Sequence, residues 1–169
     1  FDPTGRSARV FGTITPAFIE TRGRSKGSRG ALSPSPGISA ASLATIKCTT
    51  DQQTKIATAV TNATNYAQGA YTYFATTTTI ARYLTWFGSY ELSRWNVVKL
   101  NYEKIHNAFS TQAISIDCSC KQKNVYAYVY PDRPYVITVC GAFWTAPATG
   151  TDSKAGTLIH EMSHFRVVA

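Results

Sequence analysis

Residues 156–169 read GTLIHEMSHFRVVA, and within them His160, Glu161 and His164 form the pattern H-E-x-x-H. Residues four apart on a helix face the same way. His160 and His164 can therefore present two imidazoles to a single zinc ion. Glu161 follows the first of them, where its carboxylate can reach a water on that zinc. In that place it acts as general base, taking a proton as the water attacks a peptide carbonyl. Zinc lowers the pKa of such a water to about 7, so hydroxide is available near neutrality. The pattern predicts a helix from about Ser153 to Phe165. The remaining histidine, His106, falls in another helical stretch and reads as a surface or core residue.

A catalytic zinc needs three protein ligands and an open position. In one H-E-x-x-H class a glycine and then a third histidine follow. Here Val167 stands at the glycine position, and the sequence given ends at Ala169 before the histidine. Upstream, Asp117, Asp132 and Asp152 carry carboxylates, but no spacing aims any of them at the zinc. We expect none of the three to be the ligand.

Working back along the chain, the pattern has period two. AISIDCSC (113–120), NVYAYVY (124–130) and PYVITVC (134–140) read as three short strands, joined by Lys/Asn and Pro-Asp turns. Before them, Ile56, Ala59, Val60, Ala63, Tyr66, Ala67, Ala70, Tyr73 and Phe74 recur at three and four. This predicts one face of a long helix starting near Thr50, with Thr49, Thr50 or Asp51 as cap and the threonines at 76–79 as its end. A second helix is predicted over 89–108. Two helices, a small sheet and a metal-binding helix give an α+β class.

Residues 22–37, RGRSKGSRGALSPSPG, have little apolar content and many chain breakers, as a linker or disordered segment does. The formal charge is +8, and residues 1–40 hold six Arg or Lys against two acids. That density reads as a basic linker; nucleic-acid binding is not expected from it, because no aromatic residue is interleaved with the basic run. No apolar run approaches the roughly 18 residues of a spanning helix, so no membrane partner is expected. The first residue is Phe1 and no signal segment precedes it, as expected of a processed, excised or partial chain.

Cys48, Cys118, Cys120 and Cys140 are even in number, which suggests two disulfides and an oxidising compartment; reduced buried thiols are the alternative. Cys118 and Cys120 are too close in sequence to pair with each other. The sequon Asn62-Ala63-Thr64 also suits a secreted chain. Phe143 and Trp144 read as core packing more than as a substrate cleft, and Tyr126, Tyr128 and Tyr130 as a half-buried strand face.

TWFGSY (85–90), DCSC (117–120), YAYVYPDR (126–133) and above all CGAFWTAPATGTDSKAGTLIHEMSHF (140–165) resemble the deuterolysin-type aspzincin metalloendopeptidases, with closest likeness to the fungal peptidyl-Lys metalloendopeptidases. The resemblance covers about residues 41–165. It implies a zincin-like fold: helices packed on a small, mostly antiparallel sheet, with the metal helix at the C-terminus. It implies a secreted zinc endopeptidase made as a zymogen, cutting protein or peptide substrates on the amino side of lysine; a monomer is expected. It implies His160 and His164 as zinc ligands, Glu161 as base, and disulfides Cys48–Cys118 and Cys120–Cys140. The family's third ligand is an Asp shortly after the second His, where this sequence has RVVA. The family's Tyr and acidic lysine pocket, further on, also find no counterpart. The expectation is therefore weak zinc binding and little proteolysis. Residues 1–40 are expected to be a pro-segment remnant or linker, and residues 41–169 a metalloendopeptidase domain incomplete at its C-terminus. The alternative is a catalytically inactive secreted binding protein on a degraded protease scaffold.

Overall fold

A computed structural model describes residues 41–76 and 80–169, so the expectations for residues 1–40 and for the threonines at 77–79 lie outside the described residues. The chain runs β1 (Leu43–Ile46), α1 (Thr50–Thr76), α2 (Ala81–Phe87), α3 (Leu92–Thr111), β2 (Ile114–Asp117), β3 (Ala127–Val129), β4 (Val136–Val139), α4 (Gly141–Thr145) and α5 (Lys154–Met162).

Helix α1 follows the stripe seen in the sequence: Ile56, Ala59, Ala63, Ala67, Ala70 and Phe74 are buried. Four of these are alanines, which let α3 and α5 approach α1 closely. A reciprocal cap starts the helix. Gln52 N donates to Thr49 Oγ1 at 3.3 Å, and Thr49 N donates to Gln52 Oε1 at 2.9 Å.

The α+β class holds, but the strand directions differ from the expected mostly antiparallel sheet. The order is β1-β2-β4-β3. β1 pairs parallel with β2 (Leu43 opposite Ile114), and β2 pairs parallel with β4 (Ile116 opposite Ile137). Among the described strands only β3 runs antiparallel, on β4, with Tyr128 opposite Thr138. The Pro-Asp turn does make a hairpin between β3 and β4. The segment between β2 and β3 does not: it carries the chain past the β4 position to the sheet edge, and β4 returns into the gap. β4 is an interior strand buried on both faces, with Ile137, Thr138 and Val139 all enclosed.

Both disulfides lie at one end of the strands of this sheet. Cys48 follows β1 and bonds Cys118, which follows β2; Cys120 bonds Cys140, which follows β4. They tie together the carboxyl ends of the three parallel strands.

The main core joins α1, the sheet and α5. Leu158, Met162 and Phe165 are each fully enclosed there, contributing roughly 1.5–3 kcal/mol apiece. A second, aromatic cluster lies between α1, α2 and α3, built on Phe74 and Tyr83 with Trp95 and Phe87 against them.

Candidate metal centre

Helix α5 is fixed first at its amino end. Ser153 Oγ accepts from Gly156 N at 3.0 Å. The first two amides of the helix donate to the preceding loop: Lys154 N to Pro147 O at 2.8 Å and Ala155 N to Ala148 O at 3.3 Å. The Lys154 ammonium, itself buried, donates to Ala146 O and lies over the Phe143 ring. Burial first, and Lys55 second, lower the Lys154 pKa. The backbone donors that open a helix are thus satisfied by protein groups, and α5 is anchored two turns before the H-E-x-x-H. Gly141 shows why the preceding CG pair is needed. A Cβ there would meet Lys123 Cα at 2.6 Å, a backbone contact that cannot yield easily.

The carboxyl end is braced differently. α5 ends at Met162, so His164 stands in the turn beyond it. Ser163 N is shared between Ile159 O and His160 O, both at 3.1 Å, and His164 N donates to Glu161 O at 3.1 Å. The last turn has tightened to i→i+3 bonding, as helix ends often do. The β3–β4 hairpin supports it. Arg166 N donates to Pro131 O at 3.2 Å, Arg166 pairs with Asp132 at 3.0 Å, and Tyr135 packs edge-on against Phe165.

This scaffold brings the two imidazoles together. His160 Nε2 and His164 Nε2 are 3.1 Å apart, with the ring planes nearly perpendicular at 84°. Zinc–nitrogen bonds of about 2.0–2.1 Å in tetrahedral geometry separate two ligand nitrogens by roughly 3.3 Å. The pair is therefore spaced for one such ion without rearrangement. Burial, then the neighbouring His164, pulls the His160 pKa down to about 4, and burial also lowers that of His164. Both shifts favour the neutral imidazole, the form that a metal takes.

Glu161 is 4% exposed, and its Oε2 is buried with no hydrogen-bond partner among the described residues. Burial pushes its pKa up to about 8. A buried carboxyl that finds no protein partner departs from the general rule that such groups are bonded. That is the expected state of a base held ready for water at a cation. The two imidazole nitrogens are donors of the type and spacing that zinc takes.

Among the described residues no third His, Cys, Asp or Glu joins the pair. Asp117 Oδ1 accepts from Ser119 N at 2.8 Å, Asp132 is paired with Arg166, and Asp152 sits in the exposed loop before α5 at φ 50°. His106 is elsewhere, bonded through Nε2 to Gln68 Oε1 at 2.8 Å and stacked on Tyr71 at 4.7 Å. Phe143 is fully buried in the core, and Trp144 packs half-buried against it. Sequence reasoning missed Lys154 and Ser153 as anchors of the site helix. Only the serine gave a signal, as a cap residue at a helix start.

The family described as lysine-specific metallo-endopeptidase, the aspzincins, matches residues 72–169. The chain belongs to this family. It is 46% identical over 124 residues to an extracellular protease of Aeromonas hydrophila, covering 73% of this chain and 36% of that protein. It is 46% identical over 120 residues to a peptidyl-Lys metalloendopeptidase of Grifola frondosa, covering 70% of this chain and 34% of the relative. The chain thus spans about a third of the length of these curated relatives. A solved zinc peptidase from Grifola frondosa superposes with a TM-score of 0.66 at 45% identity, over 71% of this chain and 74% of its own. Among the described residues of this aspzincin, no helix is long and apolar enough to cross a membrane.

Proposed function

We propose that this aspzincin chain carries the zinc helix of a secreted endopeptidase, with His160 and His164 as metal ligands and Glu161 as general base. The observation that carries the reading is two ring nitrogens 3.1 Å apart on the stretch that also bears Glu161, whose Oε2 is buried with no hydrogen-bond partner among the described residues. When bound, zinc supplies Lewis acidity, making water nucleophilic near neutral pH and polarising the scissile carbonyl. Glu161 takes the proton of the attacking water and passes it to the departing amine. A neighbouring cation favours the carboxylate over the acid, so Glu161 becomes a base in the loaded site and stays protonated in the metal-free one. The lowered pKa values of His160 and His164 favour the neutral rings that metal binding requires. Strand β3 forms a sheet edge, and its outer backbone can pair an extended peptide.

Relatives named peptidyl-Lys metalloendopeptidase support cleavage at lysine. The relative named extracellular protease and the two disulfides support secretion. The basic composition of residues 1–40 suits a segment removed during processing. A second reading, a catalytically silent binding protein on the same scaffold, is favoured by one observation: the described residues hold two ligands and a catalytic zinc takes three.

Hydrolysis of casein and of a lysine-containing peptide, with and without chelator, separates the two. Chelator-sensitive cleavage that is lost in Glu161→Gln supports the peptidase. Zinc binding without hydrolysis, indifferent to Glu161→Gln, supports the silent scaffold.

A further inference from the structure

The peptidase reading leaves one cavity unused. It lies between α3 and α5, has a volume of about 140 Å³ and opens to the surface. Val98, Tyr102 and Ile105 line it from one stripe of α3, Ile159 lines it from α5, and Phe87 and Ala169 also line it. The His160 imidazole is part of its wall. We propose that this cavity is a subsite for an aromatic or large aliphatic side chain of the peptide whose scissile bond lies at the His160–His164 pair. The proposal rests on the peptidase reading.

Three observations carry it. The volume is close to the roughly 150 Å³ of a protein cavity that accepts benzene, the size of one phenylalanine ring. The lining is mostly apolar, with Asn101, Tyr102 and Ser163 as its polar side chains besides His160, and it holds no side-chain carboxylate. It therefore suits a neighbour of the lysine and not the lysine itself. Finally, His160 belongs to both the cavity and the metal pair, so a side chain seated here is next to the reacting bond. The Ser163 hydroxyl is committed to His160 O at 2.6 Å.

The test is amide NMR on the full 169-residue chain, both metal-stripped and zinc-loaded, titrated with N-acetyl-phenylalanine amide, N-acetyl-alanine amide and N-acetyl-lysine amide. The phenylalanine amide should bind ten- to a hundredfold more tightly than the alanine amide, the gain expected for burying one large apolar side chain. Its shifts should centre on Val98, Ile105 and Ile159. Asn101→Phe, which fills the cavity, should remove that preference while the thermal midpoint is retained; should this variant not fold, the ligand series on the unaltered chain decides. Equal affinities for all three amides, or shifts elsewhere, overturn the proposal. Shifts that follow protein concentration assign the groove to a second copy and overturn it as well. Because binding is read without turnover, failure of hydrolysis leaves this test intact.

Discussion

Glu161→Gln should change how stability depends on pH. In the metal-free protein the Glu161 carboxyl is 4% exposed and its pKa is raised from 4.5 to about 8 by burial. Below 4.5 it is protonated both folded and unfolded, so it contributes no pH dependence. As pH rises, the unfolded chain ionises first and draws the equilibrium toward itself, until the folded carboxyl also ionises near 8. The stability of the acid form is therefore fully present below the unfolded pKa and is lost as pH climbs through this window. At about 1.4 kcal/mol per pH unit, the loss amounts to roughly 3–5 kcal/mol by pH 8. His160 and His164 act in the opposite direction. Their pKa values are lowered on folding, so stability they contribute above 6.5 is lost as pH falls. That contribution is common to both proteins and cancels in their difference. The assay is urea unfolding in chelator at pH 4.5, 6, 7 and 8, comparing the two. The glutamine variant carries a constant offset for its own unpaired amide, so the slope is the readout. The advantage of Glu161→Gln should grow steadily with pH. A difference that is flat from pH 4.5 to 8 would refute a buried, partnerless carboxyl at this position.

Gly141→Ala should destabilise by roughly 1–3 kcal/mol, the usual cost of overpacking, because its Cβ would strike the Lys123 backbone; thermal unfolding reads it. Paired Cys48→Ala/Cys118→Ala should cost more than Cys120→Ala/Cys140→Ala. Loops of 70 and 20 residues correspond to roughly 4 and 3 kcal/mol of closure entropy, and denaturant midpoints of the two variants should rank accordingly. Lys154→Ala should cost about 1–3 kcal/mol by leaving Ala146 O without its donor, and should increase hydrogen exchange in the loop over 146–152.

Much of the fold was legible because most elements bury one face. The stripe from Ile56 to Phe74 located α1, and alternation in AISID and AYV located β2 and β3. β1 was missed because Leu43 and Ile46 are exposed on an edge strand, leaving no alternation to read. α2 and α4 are 7 and 5 residues long, too short for a helical period to show. Strand direction was misjudged because turn residues between strands suggest hairpins, whereas the route from β2 to the sheet edge is set by core packing and by Cys118 and Cys120 at its start. At the proposed site, the H-E-x-x-H spacing alone pointed to His160, Glu161 and His164. The Lys154 anchor was not legible, since a buried lysine bonded to a carbonyl looks in sequence like any other helix-surface lysine.

The central claim is that His160 and His164 hold one zinc ion between them. Zinc-edge X-ray absorption on the zinc-loaded chain tests it directly. The expected spectrum shows scattering from two imidazoles, with nitrogens at about 2.0–2.1 Å, reduced to one or none in His160→Ala and His164→Ala and unchanged in Glu161→Gln. A zinc spectrum without imidazole scattering, or one that both histidine variants leave untouched, contradicts it.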